Sequence, residues 1–200
     1  MKILGIYSST ERKNNSTTKM METAIDSAKE NGAEVELINI REQKITPCKG
    51  CGFLVCNKGC IIDDDVIELY DKIKNADALL LGTSVNLGLP NAKLVALLQR
   101  LVHLRGKQLL KDKPVSFIVT GLYPRGGQTL VAMDLARWAM VCDMIPVSNE
   151  PPFDYDCHNG HFAATSKSPP DENAIKSAKY AGKRLVEFTK KLKGDGTLEQ

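Results

Sequence analysis

Short apolar runs alternate with helical patterns along the chain, and this alternation limits the fold more than any other feature. Five runs rich in apolar and β-branched residues predict buried strands at residues 2–7, 34–40, 77–82, 115–120 and 144–148. Apolar residues at helical spacing predict helices at residues 17–31, 66–75, 92–104, 128–141 and 172–193. This order favours an α/β fold, with five parallel strands in one sheet and helices on both faces.

The predicted elements fill the chain as one unit. Its 200 residues fit a single medium-sized domain that can bury a core. We expect this domain at residues 1–193, with a cysteine-rich insertion at 47–61 after the second strand and a frayed tail at 194–200. The polar, proline-rich stretch 149–170 predicts a loop before the last helix.

Composition argues against several classes of function. The formal net charge is only +3 and the basic residues are spread out, so no nucleic-acid partner is expected. No apolar run approaches 18 residues, so no membrane span is predicted. The apolar run at the N-terminus is too short for a signal peptide. We therefore expect a cytoplasmic protein, in which thiols stay reduced.

Four of the six cysteines lie within thirteen residues, at Cys48, Cys51, Cys56 and Cys60. In a reducing compartment such a run indicates metal or redox chemistry more than structural disulfides. Four thiolates suit a [4Fe–4S] cluster, and they also suit zinc. The compact spacing favours the cluster, because zinc sites more often separate their two ligand pairs widely. Zinc, redox-active thiols and a disulfide pair remain the alternatives.

Three loops should meet at one end of the sheet, where open α/β folds bind ligands. The first loop, residues 8–19, carries hydroxyls and amides and leads into a helix N-terminus, which suits a phosphate monoester. It lacks the GxxxxGK[ST] and GxGxxG motifs, and the alternative is a polar loop in which Ser16 caps the helix. In the second loop (83–93), Gly88 and Pro90 permit a tight turn, and in the third (120–128) three glycines would let the backbone approach a flat ring.

Some other reactive side chains have structural explanations. Cys142 falls on the same predicted helix as the only tryptophan and is expected in the core. The acidic run Asp63–Asp65 precedes a helix, where carboxylates suit the positive end of the helix dipole. His103 ends a predicted helix, where a cation is favoured.

At these motifs the chain resembles the iron–sulfur flavoproteins, within the flavodoxin-like NAD(P)H-dependent FMN reductases. The first loop is similar to their GSPRxxGNT-type phosphate loop, and residues 83–100, TSVNLGLPNAKLVALLQR, are similar to TPVYxGxxxAxLKxFIDR. Asn86 replaces the usual aromatic residue of that segment. Residues 46–65 resemble PCxxCxxCxxxxxCxxxDD. The third cysteine of that pattern would stand at Leu54, and here Cys56 stands two residues later.

The resemblance implies a flavodoxin-like five-stranded parallel sheet in the order 2-1-3-4-5. It implies FMN as cofactor and a [4Fe–4S] cluster on Cys48, Cys51, Cys56 and Cys60. The residues that it places around FMN are Ser8, Ser9, Thr10, Arg12, Asn15, Ser16, Thr17, Thr83, Ser84, Val85, Asn86, Leu87, Gly88, Gly121, Arg125, Gly126 and Gly127.

The resemblance also implies an FMN-dependent oxidoreductase. Electrons would pass from a ferredoxin-type donor through cluster and flavin to an acceptor, in a homodimer or homotetramer, and no catalytic acid or base is expected. One alternative is a cluster-free NAD(P)H-dependent FMN or quinone reductase whose cysteines bind zinc or serve as redox thiols. Another is a non-catalytic flavin- or metal-binding regulatory module.

Overall fold

A parallel β-sheet forms the centre of the computed structural model, which describes residues 1–9, 15–149 and 162–194. The strands are β1 (Lys2–Ser8), β2 (Glu34–Asn39), β3 (Ala78–Asn86), β4 (Leu89–Pro90), β5 (Pro114–Thr120), β6 (Ile145–Pro146) and β7 (Ala164–Ser166). The helices are α1 (Ser16–Glu30), α2 (Phe53–Lys58), α3 (Val66–Asn75), α4 (Ala92–Arg100), α5 (Val102–Gly106), α6 (Gln128–Val141) and α7 (Glu172–Leu192).

The main path of the sheet runs β2-β1-β3-β5-β6, and all of its pairs are parallel. The short β4 pairs antiparallel with the end of β3 as a hairpin, so this path corresponds to the predicted order 2-1-3-4-5. The flavodoxin-like α/β fold is therefore confirmed.

The edge of the sheet beyond β5 differs from the prediction. β6 pairs only with the first two residues of β5, and β7 pairs with its last three. The stretch 149–170, predicted as a loop, thus contains a strand. Its residues are Ala164, Thr165 and Ser166, which carry small or polar side chains and form no apolar run.

Alternating strand residues bury side chains on both faces of the sheet. In β1, Leu4 and Ile6 face one core and Ile3 and Tyr7 face the other. Helices α3, α4 and α6 contribute to the first core, and α1 and α7 contribute to the second. This period of two, with both faces apolar, is what a parallel sheet under two helical layers requires.

One predicted helix is divided. The segment 92–104 forms α4 and α5, with a tighter turn at Leu101, whose N–H donates to the carbonyl of Leu98. The turn leaves Arg100, the last residue of α4, with only 1% of its surface exposed. In the described part of the chain, no helix combines the length and apolar character needed to cross a membrane.

Candidate functional site

A cavity of about 700 Å³ opens at the carboxyl ends of β1, β3 and β5. This is the edge of an open α/β sheet at which ligands bind, and the volume suits a cofactor. The lining residues are Asn15, Ser16, Thr17, Ser84, Val85, Asn86, Leu87, Gly88, Thr120, Gly121, Leu122, Tyr123, Gly126 and Ser168.

The N-terminus of α1 forms one wall of the cavity. Asn15 caps the helix, because its Oδ1 accepts the N–H of Thr18 at 2.9 Å, so the alternative with Ser16 as the cap is wrong. The Ser16 hydroxyl donates to Ser168 Oγ at 2.9 Å, and the hydroxyls of Thr17 and Thr120 lie 2.6 Å apart. The positive end of a 15-residue helix, ringed by hydroxyls, is a suitable site for an anion.

The loop after β3 forms a second wall. Leu87 and Gly88 both have positive φ, at 50° and 79°, as a two-residue hairpin turn requires, and Leu87 is fully exposed at the tip. The Ser84 hydroxyl is buried and has no hydrogen-bond partner among the described residues. A buried hydroxyl without a partner is costly, which makes it a candidate contact for a ligand in the cavity.

The loop after β5 forms a third wall and is held by Gln128. Its Nε2 donates to the carbonyls of Tyr123 at 2.6 Å and Ser166 at 3.2 Å. A Cβ on Gly121 would lie 2.5 Å from the same nitrogen, so only glycine leaves room for this anchor. The cavity wall at this point therefore consists of backbone that the hydrogen bonds of Gln128 hold in place.

The structure brings together most of the residues predicted to contact a cofactor. Those that line the cavity are Asn15, Ser16, Thr17, Ser84, Val85, Asn86, Leu87, Gly88, Gly121 and Gly126. Three more are buried and lie outside the lining. Ser8 donates to Asn91 Oδ1 at 2.7 Å, Ser9 accepts from Asn39, and Thr83 accepts the N–H of Asn91.

The remaining predicted positions lie elsewhere. Arg125 and Gly127 belong to the loop after β5 but are not part of the lining, and Thr10 and Arg12 lie outside the described residues. The lining residues Thr120, Leu122, Tyr123 and Ser168 were not among the predicted contacts. The first three follow a recognisable strand end, whereas nothing near Ser168 in the sequence indicates its contact with Ser16.

The four clustered cysteines lie in one segment between β2 and α3. All five described cysteines are free thiols, and Cys56 is the buried member of the cluster. Its Sγ lies 3.9 Å from Cys51 Sγ, and Cys48 Sγ accepts the N–H of Gly50 at 3.5 Å. Leu54, where the family pattern has its cysteine, is 81% exposed, whereas Cys56 is 8% exposed. The helical turn of α2 thus brings position 56, not 54, to the other thiols.

The thiols differ in their surroundings. Burial, followed by the Cys51 thiol, raises the pKa of Cys56. Burial alone would raise the pKa of Cys60, but the nearby Ile62 N–H, Tyr70 and Arg100 guanidinium hold that pKa below its ordinary value. Within the described ranges, no three or more Cys, His, Asp or Glu side chains are arranged to hold a metal ion.

Comparison with known proteins gives these features a context. The sequence model described as NADPH-dependent FMN reductase matches residues 1–156. An iron-sulfur flavoprotein of Methanosarcina thermophila is 33% identical over 88% of this chain and 87% of its own length. One from Archaeoglobus fulgidus is 32% identical over 96% and 98% of the two chains. The structure of a WrbA-like flavodoxin from Agrobacterium tumefaciens superimposes with a TM-score of 0.67 at 14% identity, over 95% and 98% of the chains, which shows the fold.

A flavodoxin-like sheet with this cavity, matched to these relatives, defines an FMN-dependent oxidoreductase. The chain belongs to the iron–sulfur flavoproteins within the NADPH-dependent FMN reductase family. The cavity offers groups that fit FMN: a helix N-terminus, glycine-rich backbone, and the buried hydroxyl of Ser84, which has no partner among the described residues.

We expect Gln128→Ala to weaken FMN binding about tenfold. Two hydrogen bonds that fix the loop after β5 would be lost, and each contributes about 1 kcal/mol. Fluorescence titration of the flavin-free protein measures the change. Gln99→Ala, which removes an exposed glutamine from α4, is the matched control and should bind FMN normally. Equal affinities for both variants would mean that Gln128 does not hold the FMN wall.

Proposed function

We propose that this protein uses FMN and a [4Fe–4S] cluster to transfer electrons from a ferredoxin-type donor to an acceptor. The observation that supports it most is the set of four reduced cysteines in one loop of a flavin-binding fold. Neither centre requires a protein acid or base for electron transfer, and among the described residues the cavity lining contains no Asp, Glu, His or Lys.

The α1 wall would hold the FMN phosphate. The N–H groups at the start of α1 and the helix dipole attract an anion, and the hydroxyls of Thr17 and of Ser168, which accepts from Ser16, can add donors. Asn15 keeps this helix end rigid through its bond to Thr18. Among the described residues these donors are neutral, and Thr10 and Arg12, also predicted to contact the cofactor, lie outside them.

The walls after β3 and β5 would flank the flavin ring. Tyr123 lines the cavity and is 68% exposed, so its ring is available to cover a flat ligand. It offers the aromatic surface that Asn86 does not provide. FMN supplies one- and two-electron redox chemistry when bound, while these walls orient it and limit its access to water.

The cysteine loop has the donor set of an iron–sulfur site. Four thiolates are the usual ligands of [4Fe–4S] clusters, which exchange single electrons. Gly50, Gly52 and Gly59 have positive φ, and a Cβ on any of them would meet no atom within 4 Å. This backbone gives the loop room to gather Cys48 and Cys60 around the contact between Cys51 and Cys56.

The surface supports the proposed partners. Exposed apolar side chains on α6 are unusual for a free surface and favour self-association into a homodimer or homotetramer. They are Leu130, Met133, Met140 and Val141. The small positive net charge suits an acidic ferredoxin-type donor.

Chemical analysis of the protein prepared under anaerobic conditions tests the proposal. We expect iron and acid-labile sulfide at about four atoms each per chain, as a [4Fe–4S] cluster requires, together with one FMN. Reduced ferredoxin should bleach the flavin band. One zinc per chain without sulfide would overturn the cluster proposal and leave the FMN assignment standing.

The second candidate is a cluster-free NAD(P)H-dependent FMN or quinone reductase. The match to the family model described as NADPH-dependent FMN reductase favours it. Rapid anaerobic bleaching of the flavin by NADPH, in protein that contains no sulfide, would support this candidate. Slow bleaching by NADPH beside rapid bleaching by ferredoxin would exclude it.

A further inference from the structure

A buried ion pair connects both ends of the cysteine loop. The Arg100 guanidinium donates to Asp64 Oδ2 at 2.8 Å and Oδ1 at 3.1 Å, and both side chains are almost wholly buried. The same guanidinium donates to the carbonyls of Thr46 at 2.9 Å and Ile62 at 3.2 Å. Thr46 stands two residues before Cys48, and Ile62 stands two residues after Cys60. One side chain therefore holds the entry and the exit of the loop.

Asp64 completes the connection from the other side. Its Oδ2 accepts the N–H of Thr46 at 2.8 Å, and its Oδ1 accepts the N–H of Val66 at 3.2 Å. From the sequence, Asp64 is expected to interact with the dipole of α3, but in the structure its strongest partner is Arg100. The planar fork of an arginine fits a carboxylate in this way, and a lysine cannot reproduce it.

Arg100 also has a donor to spare. Its Nε is buried and has no hydrogen-bond partner among the described residues. The same guanidinium donates to the carbonyl of Ile62, two residues after Cys60. A positive charge and a donor without a described partner therefore lie at the exit of the cysteine loop.

A second contact from the same region reaches the loop. His103 Nδ1 lies 2.6 Å from the carbonyl oxygen of Cys56, and its ring contacts that of Tyr70, with centroids 5.4 Å apart. Tyr70 in turn donates to the carbonyl of Arg100 at 3.0 Å. The junction between α4 and α5 therefore supports the loop at Cys56 as well as at its two ends.

Burying this ion pair costs free energy, which indicates that it has a role other than stabilising the fold. Burying a charge pair usually gives little net stabilisation compared with apolar side chains of similar volume. Because the folded protein already holds both ends of the loop, less conformational entropy is lost when the four thiolates gather around a ligand.

We propose that Arg100 is a positioning residue of the cysteine site, which closes the loop through Asp64, Thr46 and Ile62 and places a positive charge at the exit of the loop. For its redox aspect the inference rests on the proposed function. Its structural aspect applies to any metal that the four thiolates bind. Outer contacts of this kind commonly change metal affinity by 10–100-fold.

Titration with Co²⁺ tests the structural aspect without requiring a cluster. The full chain, metal-free, reduced and loaded with FMN, is titrated while the thiolate-to-cobalt absorption is recorded. We expect Arg100→Lys, which keeps the charge but loses the fork, to bind Co²⁺ at least about tenfold more weakly. Arg137→Lys, at an exposed ion pair with Asp134, is the matched control and should bind like the parent. Parent-like affinity in Arg100→Lys would overturn the inference.

The reduction potential tests the redox aspect. In protein with a reconstituted cluster, Arg100→Gln should shift the midpoint potential to more negative values than Arg100→Lys, because the cation at Ile62, two residues after Cys60, is lost. An unchanged potential in folded Arg100→Gln would overturn this aspect. If Arg100→Gln fails to retain FMN and native circular dichroism, Arg100→Gln/Asp64→Asn, which removes both charges, takes its place. A parent that forms no cluster, yet shows the Co²⁺ difference, would refute the proposed function and leave the positioning role intact.

Discussion

Cys56→Ser is expected to bind FMN normally and to lose the iron and sulfide of the proposed [4Fe–4S] cluster. Cys56 is the buried one of the four clustered thiols, and its Sγ lies 3.9 Å from Cys51 Sγ. A serine hydroxyl is a poor substitute for a soft thiolate at iron. We expect iron content to fall on the order of tenfold or more, since even outer contacts change metal affinity by 10–100-fold.

The substitution should leave the fold unaffected. The contacts that Cys56 makes with Gly59 and His103 run through its carbonyl oxygen, and a serine keeps them. Cys142→Ala is the matched control, because Cys142 is also a buried free cysteine but lies at the end of α6. It should keep its iron. Iron analysis and flavin absorption of the two variants decide the matter, and an intact cluster in Cys56→Ser would remove Cys56 from the ligand set.

The displaced cysteine shows what a sequence pattern can and cannot reveal. The family pattern predicts a ligand at position 54, and the chain has Cys56 instead. The sequence alone does not show whether a cysteine two residues later can still serve as that ligand. The structure supplies the physical reason: in α2, position 54 faces solvent, whereas position 56 faces the loop. A short helix turns by about 100° per residue, so a shift of two positions changes the face of the helix that a side chain occupies.

The centre of the sheet was predictable because β1, β3 and β5 are buried on both faces. β3 and β5 are mostly apolar, and such segments between helical patterns have few other interpretations. β7 was not predictable, since three small or polar residues bury too little surface to form a pattern. The edge of the sheet beyond β5 is divided because neither β6 nor β7 spans the length of β5.

The site was predictable where it follows strand ends and unpredictable where it depends on distant partners. The loops after β3 and β5 have recognisable glycines. The bond between Ser16 and Ser168 joins residues 152 positions apart, and the contact of Arg100 with Thr46 joins residues 54 apart. Arg100 ends an amphipathic helix and looks like a surface residue in the sequence. Only the tight turn at Leu101 and the position of Asp64 explain its burial.

Ser16→Asp is expected to weaken FMN binding by at least about 100-fold while riboflavin binding changes little. Ser16 is the first residue of α1 and lines the cavity. A carboxylate there would face the phosphate, and two like charges about 4 Å apart repel by about 4 kcal/mol near a protein surface. The same carboxylate suits the positive end of the helix dipole, so the fold should remain stable. Fluorescence titrations of the flavin-free protein with FMN and with riboflavin provide the comparison.

Two variants separate charge from other effects. Ser16→Ala removes only the hydroxyl and its bond to Ser168, so any loss that it shows is the contribution of that bond. Thr23→Asp places the same charge two helical turns away on α1, where it should hardly affect FMN. Because riboflavin lacks the phosphate, equal weakening of both flavins by Ser16→Asp would mean that the substitution distorts the ring site. The phosphate would then lie away from the α1 N-terminus, and the orientation of FMN proposed for this cavity would have to be reversed.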